Sequence, residues 1–559
     1  MPAITTDIVE KKKVKHFSSL QLRPLAIIAS VIALLLSLPL IIVIASVFSG
    51  SFDVWTHLFE TVLWDYLFNS FMLVVGVGLG VLLLGVPAAW LTSACDFPGR
   101  KVLTWALLLP LAMPAYIIAY TYTGLLDFAG PIQTLIRDIS GWQYGEYWFF
   151  NIRSLPGAIM MLTLVLYPYV YLLGRAAFLD QSPSILEAGR TMGYNHFQSV
   201  TRLALPMARP AIITGLTLAL METLADYGTV QYFGVSTFTT GIFRTFYGFG
   251  DTAAAAQLAA VLLGFVILLI TLEKYSRKQA RYHIVKGRSV QRIRLTKTKA
   301  ILAVIVCSIP LLFGFIIPAS QLLYWSITEA IIGDSFLLLA WHSFYLAFMA
   351  AAIAVFFALL LAYAKRLYAR RKLVNTAVSL AGMGYALPGT IIAIGVIIPM
   401  AWLDHRLIAL AKEWFDIDLG LLLSGTLVAL LFAYTVRFLA VSLGSIESGL
   451  QKIKPNVDNA ARLSGYRPLQ VLQKIHIPLL RGSVLTAFLI VFVDVLKELP
   501  ATLILRPFNF NTLAVRAYEL ASDERLIDAA PASLLIVVVG LIPVILLSRS
   551  ITLGSAHNK

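Results

Sequence analysis

Four acidic residues lie at matching positions in two strongly apolar segments of this chain. Glu222 and Asp226 are four residues apart, and Asp494 and Glu498 repeat that spacing. The spacing places both carboxylates of a pair on one face of a helix. A charge at the centre of a membrane costs roughly 2.5–3.5 kcal/mol, so such residues usually face a cavity or a partner. One hypothesis is that the four line a single pathway and bind a hard cation through oxygen.

Structural pairing is the alternative role for these acidic residues. Lys497 adjoins the second pair, and Arg244 or Arg516 can reach back toward the carboxylates. In that case the acids neutralise neighbouring bases and contact no substrate. Both interpretations stay open, and no metal site is assigned, because Cys95 and Cys307 are far apart and lack metal-ligand spacing.

A second pattern is polar and occurs twice, each time between long apolar runs. The chain reads SILEAGRTMGYNHFQSVTRLALP over residues 184–206 and NVDNAARLSGYRPLQVLQKIHIP over residues 456–478. An offset of 272 residues aligns Gly193 with Gly465 and Pro206 with Pro478. Each copy is predicted to be a loop between two membrane helices.

The first loop is predicted to fold as a helix, a turn and a second short helix. Ser184 can cap the first helix, with Glu187 completing a capping box. Gly193 supplies the left-handed residue that ends this helix. Asn195 and Gln198 repeat the capping pattern for the second helix.

The second loop follows the same plan with different residues. Asn456 is predicted to cap its first helix, while Asn459 replaces the glutamate. Asp458 still places a negative charge in the first turn, which the helix dipole favours. Pro468 suits the first position of the second helix.

These loops resemble the EAA loop of ATP-binding-cassette (ABC) importer permeases. That pattern is Glu-Ala-Ala, three residues, Gly, nine residues, then an apolar residue, any residue, an apolar residue and Pro. The matching residues are Glu187-Ala188-Gly189, Gly193, Leu203, Leu205 and Pro206, and again Asn459-Ala460-Ala461, Gly465, Ile475, Ile477 and Pro478. The resemblance implies that the loops dock on an ATPase. Its implied coupling residues are Glu187, Ala188, Gly189 and Gly193, then Asn459, Ala460, Ala461 and Gly465.

Two further stretches are similar to the ferric-iron branch of these permeases, whose fused members have two six-helix halves. They begin at Ala225-Asp226-Tyr227-Gly228 and at Lys497-Glu498-Leu499-Pro500. The resemblance implies import of Fe(III) from a periplasmic or lipid-anchored binding protein, with two copies of an ABC ATPase. The alternatives are a permease for another small solute, such as thiamine or aminoethylphosphonate, and an ion-coupled secondary transporter.

The composition agrees with a membrane protein. The 559 residues are 59% apolar and only 13% charged, whereas a soluble domain is about 25% charged. Runs of 20 or more apolar residues predict an all-helical polytopic protein. Twelve spans are predicted, at residues 24–48, 67–92, 102–123, 155–175, 207–226, 253–272, 300–325, 342–364, 375–401, 420–445, 482–505 and 529–548.

The charges of the loops predict the orientation and the domain limits. Residues 273–299 carry ten Lys or Arg and one acid, while loops 49–66 and 326–341 carry acids and no Lys or Arg. Basic loops stay in the cytoplasm, so both termini are predicted to be cytoplasmic, in a bacterial inner membrane. The expected units are an N-terminal segment 1–23, a first half 24–272, a basic linker 273–299, a second half 300–548 and a tail 549–559.

The basic linker, and the absence of nucleotide-binding and catalytic motifs from the sequence, predict which partners the chain binds. Contact with anionic lipid headgroups explains the basic linker better than nucleic acid, so membrane lipid is an expected partner and nucleic acid is not. No G-x-x-x-x-G-K-[ST] motif occurs, so we expect ATP to be used by a separate subunit. No catalytic motif is present either, and we expect neither enzymatic activity nor a bound cofactor.

Overall fold

The computed structural model describes residues 23–48, 52–143, 145–181, 189, 191–278, 292–331 and 333–556. In these ranges ten helices are long and apolar enough to cross a membrane, or twelve if each of two bent pairs counts as one span. The predicted all-helical polytopic fold is confirmed. The described strands are two residues long, Cys95–Asp96 and Ile293–Arg294, and they pair in parallel.

The spans are numbered one to twelve in chain order. The first six are Pro24–Phe48, Leu63–Ala94, the bent pair Arg100–Ala112 and Ala115–Ser140, Leu155–Leu179, Val200–Ala225, and Thr252–Ser276. The second six are Lys297–Thr328, Phe336–Leu367, Gly389–Phe415, Leu427–Lys452, the bent pair Pro468–Leu479 and Arg481–Leu496, and Leu526–Leu546. Short helices between them are Phe52–Thr61, Gly228–Tyr232, Phe238–Phe243, Lys372–Ala381, Pro455–Leu463, Pro500–Leu505 and Leu513–Ser522.

Spans three and nine do not run unbroken through residues 102–123 and 375–401, as the apolar pattern predicts. Met113 and Leu387 are both extended, with ψ angles of 112° and 133°. Each precedes a proline, and the proline ring disfavours the helical conformation for the residue before it. The helices restart at Ala115 and Gly389.

Spans five and eleven are interrupted as well. The fifth helix ends at Ala225, because Asp226 is extended with a ψ of 131°, and helix resumes at Gly228. The eleventh ends at Leu496 and resumes at Pro500, so the prediction of one span over 482–505 is wrong. Asp226, Lys497 and Glu498 lie between the helical pieces, whereas Glu222 and Asp494 lie within the helices just before the breaks.

The tenth span begins at Leu427 and not at residue 420. The apolar residues just before it form a loop whose backbone N–H groups at Leu422, Leu423 and Ser424 donate to the buried carboxylate of Asp404. A loop whose backbone groups are satisfied in this way can be as apolar as a helix. Composition alone therefore misplaced this boundary.

The two halves of the sequence are interlocked in space. Span one packs on span nine so closely that a Cβ on Gly395 would lie 2.5 Å from the carbonyl oxygen of Pro39. In the other direction, the Tyr122 hydroxyl of span three donates to the Phe313 carbonyl of span seven over 2.7 Å. The first span of each half thus packs against the other half, and each hydrophobic core contains residues of both.

Candidate translocation cavity and coupling loops

A cavity of about 130 Å³ lies where the interrupted spans meet. Breaks in spans three, five and eleven supply much of its wall, and spans four and ten supply more. Its polar lining consists of Tyr116, Tyr169, Glu222, Asp226, Tyr227, Tyr385, Arg437, Asp494, Lys497 and Glu498. The structure therefore brings together all four acidic residues singled out in the sequence.

Two of these carboxylates are helix caps. Oδ1 of Asp226 accepts hydrogen bonds from the N–H groups of Thr229 and Val230, at 3.1 and 3.2 Å. Glu498 does the same for the other half, accepting from the N–H groups of Ala501 and Thr502 at 3.0 and 3.1 Å. A carboxylate at a helix N-terminus satisfies backbone donors that have no partner within the helix. Both residues stabilise the restart of an interrupted span.

The second-half cap also carries an ion pair. Nη1 of Arg437 lies 2.7 Å from Oε1 of Glu498, and both side chains are almost completely buried. A Cβ on Gly389 would lie 2.5 Å from the same carboxylate oxygen, so the absence of a side chain there makes room for the pair. Arg437 was not predicted, although an arginine within an apolar span is itself a signal of a buried partner.

The first half has no such ion pair. Span four has Val165 at the position that the 272-residue offset gives for Arg437, and the helix after the third-span break begins with Ala115, not glycine. Both caps also accept a hydrogen bond from a threonine hydroxyl of the helix that they cap, Asp226 from Thr229 at 3.0 Å and Glu498 from Thr502 at 2.8 Å. The two caps are equivalent in position and different in charge balance.

Asp494 and Glu222 likewise differ in whether they form an ion pair. Nζ of Lys497 lies 2.9 Å from Oδ1 of Asp494, so the pairing alternative holds for this residue. Glu222 takes part in no ion pair within 4.0 Å among the described residues. Of the other two predicted partners, Arg244 contacts the Ser236 hydroxyl at 3.4 Å, and neither Arg244 nor Arg516 forms an ion pair with these acids among the described residues. The described residues also contain no group of three or more His, Cys, Asp or Glu arranged to hold a metal ion.

The first coupling loop is described in part. Ser184, Glu187 and Ala188 lie outside the described residues. Gly189 is buried, and a Cβ there would lie 2.7 Å from the Ser199 hydroxyl oxygen, so this glycine lets the backbone at position 189 lie close to the second loop helix. Gly193 has a φ of +75°, the left-handed conformation predicted for it.

The second coupling loop has a matching turn between its two helices. Gly465 has a φ of +85°. In both loops the residue after the glycine donates its N–H five residues back, Tyr194 to Gly189 at 2.9 Å and Tyr466 to Ala461 at 3.1 Å. This hydrogen bond is characteristic of helices that end in a Schellman motif. Asn459 and Ala460 are exposed on the helix that precedes the turn, whereas Ala461 is buried.

Two of the capping predictions for these loops are confirmed and one is wrong. Asn195 and Gln198 exchange side-chain-to-backbone hydrogen bonds of 2.8 and 3.1 Å, which is the capping box predicted for them. Pro468 is the first residue of its helix, also as predicted. The prediction that Asn456 is a cap is wrong, because the helix already begins at Pro455, whose ring favours the first helical position.

Both loops enter the next span through one turn of π-helix. These turns are Val200–Ala204 and Leu472–His476, and they are equivalent under the 272-residue offset. The N–H groups of Leu205 and Ile477 each donate five residues back, just before Pro206 and Pro478. Since proline has no N–H to donate, the wider turn accommodates it without a break in the helix.

An all-helical membrane fold in two repeated halves, with a charged cavity at the helix breaks and two matched polar loops, defines a transport permease. Residues 13–281 match the family of binding-protein-dependent transport system inner membrane components. The chain is therefore similar to that family over residues 13–281, and its fold and site are those of a transport permease with two repeated halves.

Curated relatives align with most of the chain or with about a third of it. The chain is 27% identical over 502 residues to the Fe(3+)-transport system permease protein FbpB 2 of Haemophilus influenzae, covering 88% of this chain and 91% of that protein. It is 22% identical to the ferric transport system permease protein FbpB of Actinobacillus pleuropneumoniae, covering 77% of this chain and 63% of that protein. The molybdenum transport system permease protein ModB of Escherichia coli is 26% identical over 35% of this chain and 87% of its own length.

Proposed function

We propose that this chain is the membrane subunit of an ATP-driven importer for ferric iron, which an extracytoplasmic binding protein delivers. The observation that carries the proposal is the pair of loops with matching left-handed glycines and π-helical turns. Two separate loops that share these turns and the same motif spacing suit two copies of one docking partner. A single interfacial helix would not require this repetition.

The partner at these loops is an ABC ATPase dimer, and ATP hydrolysis takes place there. The sequence has no phosphate-binding loop of its own. The basic loops support a cytoplasmic location for the coupling loops and for both termini, with the protein in the bacterial inner membrane. One copy of the chain supplies both membrane halves, and it binds no cofactor.

Iron is favoured over the other solutes by two observations. Relatives named for ferric transport align with most of this chain, whereas the relatives named for molybdenum align with about a third. The cavity also holds four carboxylates against one Arg and one Lys, so its formal charge is negative. A negative cavity attracts a cation and repels an anion such as sulfate.

The test is uptake of radioactive ferric iron by proteoliposomes that contain the permease, its co-purifying ATPase and the iron-loaded binding protein. We expect uptake that requires ATP and the binding protein and that is lost when Gly193 and Gly465 are both replaced by valine. Uptake driven by an ion gradient without an ATPase would instead identify a secondary transporter. ATP-dependent uptake of a different solute would retain the importer and refute iron as its substrate.

A further inference from the structure

We propose that Glu222 and the phenols of Tyr116, Tyr169 and Tyr385 form the contact site for the substrate cation inside the cavity. The inference rests on the proposed function, and it names a ligand class: a hard, trivalent cation bound through oxygen. The four side chains come from spans three, four and five and from the turn before span nine. The other three acids of the cavity are excluded from this role.

The exclusion follows from how those acids are used. Both oxygens of Asp226 and both oxygens of Glu498 accept hydrogen bonds from the helices that they cap. Glu498 is further neutralised by Arg437, and Asp494 by Lys497. A cation that competed for these oxygens would have to break an ion pair or uncap a helix. Glu222 neither caps a helix nor forms an ion pair within 4.0 Å among the described residues.

Glu222 stands among phenols. Tyr169 and Tyr385 lie near enough to its carboxylate to interact with it and with each other, and all three line the cavity. Carboxylate and other oxygen ligands are the donors that hard cations prefer. Arg437 and Lys497 are also close enough to Glu222 to interact with it electrostatically, but each forms its ion pair with another acid, Glu498 or Asp494.

Tyr116 supplies an independent indication of a ligand. Its side chain is 6% exposed, it lines the same cavity, and its hydroxyl has no hydrogen-bond partner among the described residues. A buried hydroxyl without a partner is unfavourable, so such groups call for a ligand or water. A passing cation with its coordinated water can satisfy this hydroxyl.

These oxygen donors suit transient binding of a cation during transport better than tight binding. One carboxylate with neutral phenols holds a trivalent ion weakly, and the described residues provide no compact cluster of three His, Cys, Asp or Glu around it. An importer needs this property, because binding must be favourable enough for entry and weak enough for release. The site is therefore a transfer point between the binding protein and the cytoplasm.

Terbium luminescence tests the site directly. Tb³⁺ is a hard trivalent cation whose emission is sensitised by a nearby tyrosine, and it is titrated into the detergent-purified full-length permease. We expect saturable emission in the wild type, and Glu222→Gln to raise the half-saturating terbium concentration at least about tenfold. Tyr169→Phe and Tyr385→Phe should each reduce the emission at saturation.

Matched controls keep the outcome decisive. Tyr227→Phe removes a hydroxyl that lines the same cavity, on a ring stacked 3.7 Å from Phe243, and it should leave terbium binding unchanged. Glu447→Gln removes an acid paired with Lys365 outside the cavity and should also have no effect. If Glu222→Gln fails to fold, Tyr116→Phe tests the same site with a smaller change and should weaken binding.

The experiments distinguish a failure of the proposed cation site from a failure of the proposed transport function. Half-saturation within twofold of wild type in Glu222→Gln, or in its substitute Tyr116→Phe, overturns the site even if the wild-type complex imports iron. Conversely, Glu222-dependent terbium binding with no ferric-iron uptake by the wild-type complex supports the site and refutes iron as the transported cation.

Discussion

Arg437 and Glu498 form an ion pair 2.7 Å long in the interior of the helix bundle, and Gly389 is the residue that leaves space for it. The equivalent places in the first half hold Val165 and Ala115. Arginine and glycine thus occur together in one half, and valine and alanine in the other. The repeat has diverged in a coordinated way around one helix cap.

The first prediction concerns this coordination. Gly389→Ala should destabilise the permease by about 1–3 kcal/mol, because the added methyl group overlaps the Arg437–Glu498 pair. In the background Arg437→Val/Glu498→Asp, which reproduces the first half, the same alanine should be nearly neutral. Thermal unfolding of the purified protein in detergent measures both effects. Equal destabilisation in the two backgrounds would show that the glycine serves some other purpose.

The second prediction ranks the coupling loops. Gly193→Val should abolish stimulation of the ATPase by the binding protein, because a β-branched residue is strained at a φ of +75°. Asn459→Ala should have a much weaker effect, since this side chain is exposed and its backbone is helical. ATPase rates of reconstituted complexes give the comparison. The ranking is refuted if both variants keep wild-type stimulation.

The third prediction concerns the anchor of the second loop. Asp458 lies 2.7 Å from Arg366 of span eight and 2.6 Å from the fully buried ring of His476, and Arg366 also donates to the Ile453 carbonyl at 2.8 Å. Asp458→Asn should cost about 1.5–3 kcal/mol and weaken coupling, because these hydrogen bonds are charge-assisted.

A matched change tests whether the effect belongs to this anchor. Lys365→Ala removes the more exposed pair with Glu447, 2.8 Å long, and should cost only about 0–1 kcal/mol. The first loop has Ala204 where the second has His476, so this anchor is a property of one loop. Identical losses of coupling in Asp458→Asn and Lys365→Ala would argue against a specific anchor.

The fourth prediction concerns an ion pair between the halves, at the end of the molecule opposite the coupling loops. The two terminal guanidinium nitrogens of Arg153, Nη1 and Nη2, donate to the two carboxylate oxygens of Glu524 at 2.7 and 2.8 Å. Glu524 has a φ of +61°, a left-handed conformation that costs a residue with a side chain about 1–2 kcal/mol. Arg153→Ala should therefore destabilise more than Glu524→Gly, because only the glycine variant relieves the strain.

This pair also has a defined pH dependence. The hydrogen bonds from Arg153 hold the pKa of Glu524 below its usual range. A lowered carboxylate pKa gives stability that is present above the unfolded value, about 4.3, and is lost as the pH falls through the folded value. The difference in unfolding temperature between wild type and Arg153→Ala should be constant near neutral pH and shrink in acid. A difference that grows in acid would contradict this assignment.

Local patterns in the sequence determined the class of protein and the plan of the loops. Apolar runs, basic loops and a repeat at 272 residues each depend on residues close together in the chain, so they predict spans and turns without tertiary structure. Gly193, Gly465, Asn195 and Pro468 adopt the conformations that their types dictate. Boundaries were less accurate where an apolar loop or a proline interrupted the pattern.

Only the tertiary structure decided the use of the charged residues. The four acids look equivalent in the sequence, yet Asp226 and Glu498 cap helices, Asp494 pairs with Lys497, and Glu222 faces the cavity. The partner that distinguishes Glu498 is 61 residues away in another span. Burial and pairing across spans depend on how the helices pack, and a periodic pattern within one span carries no information about its neighbour.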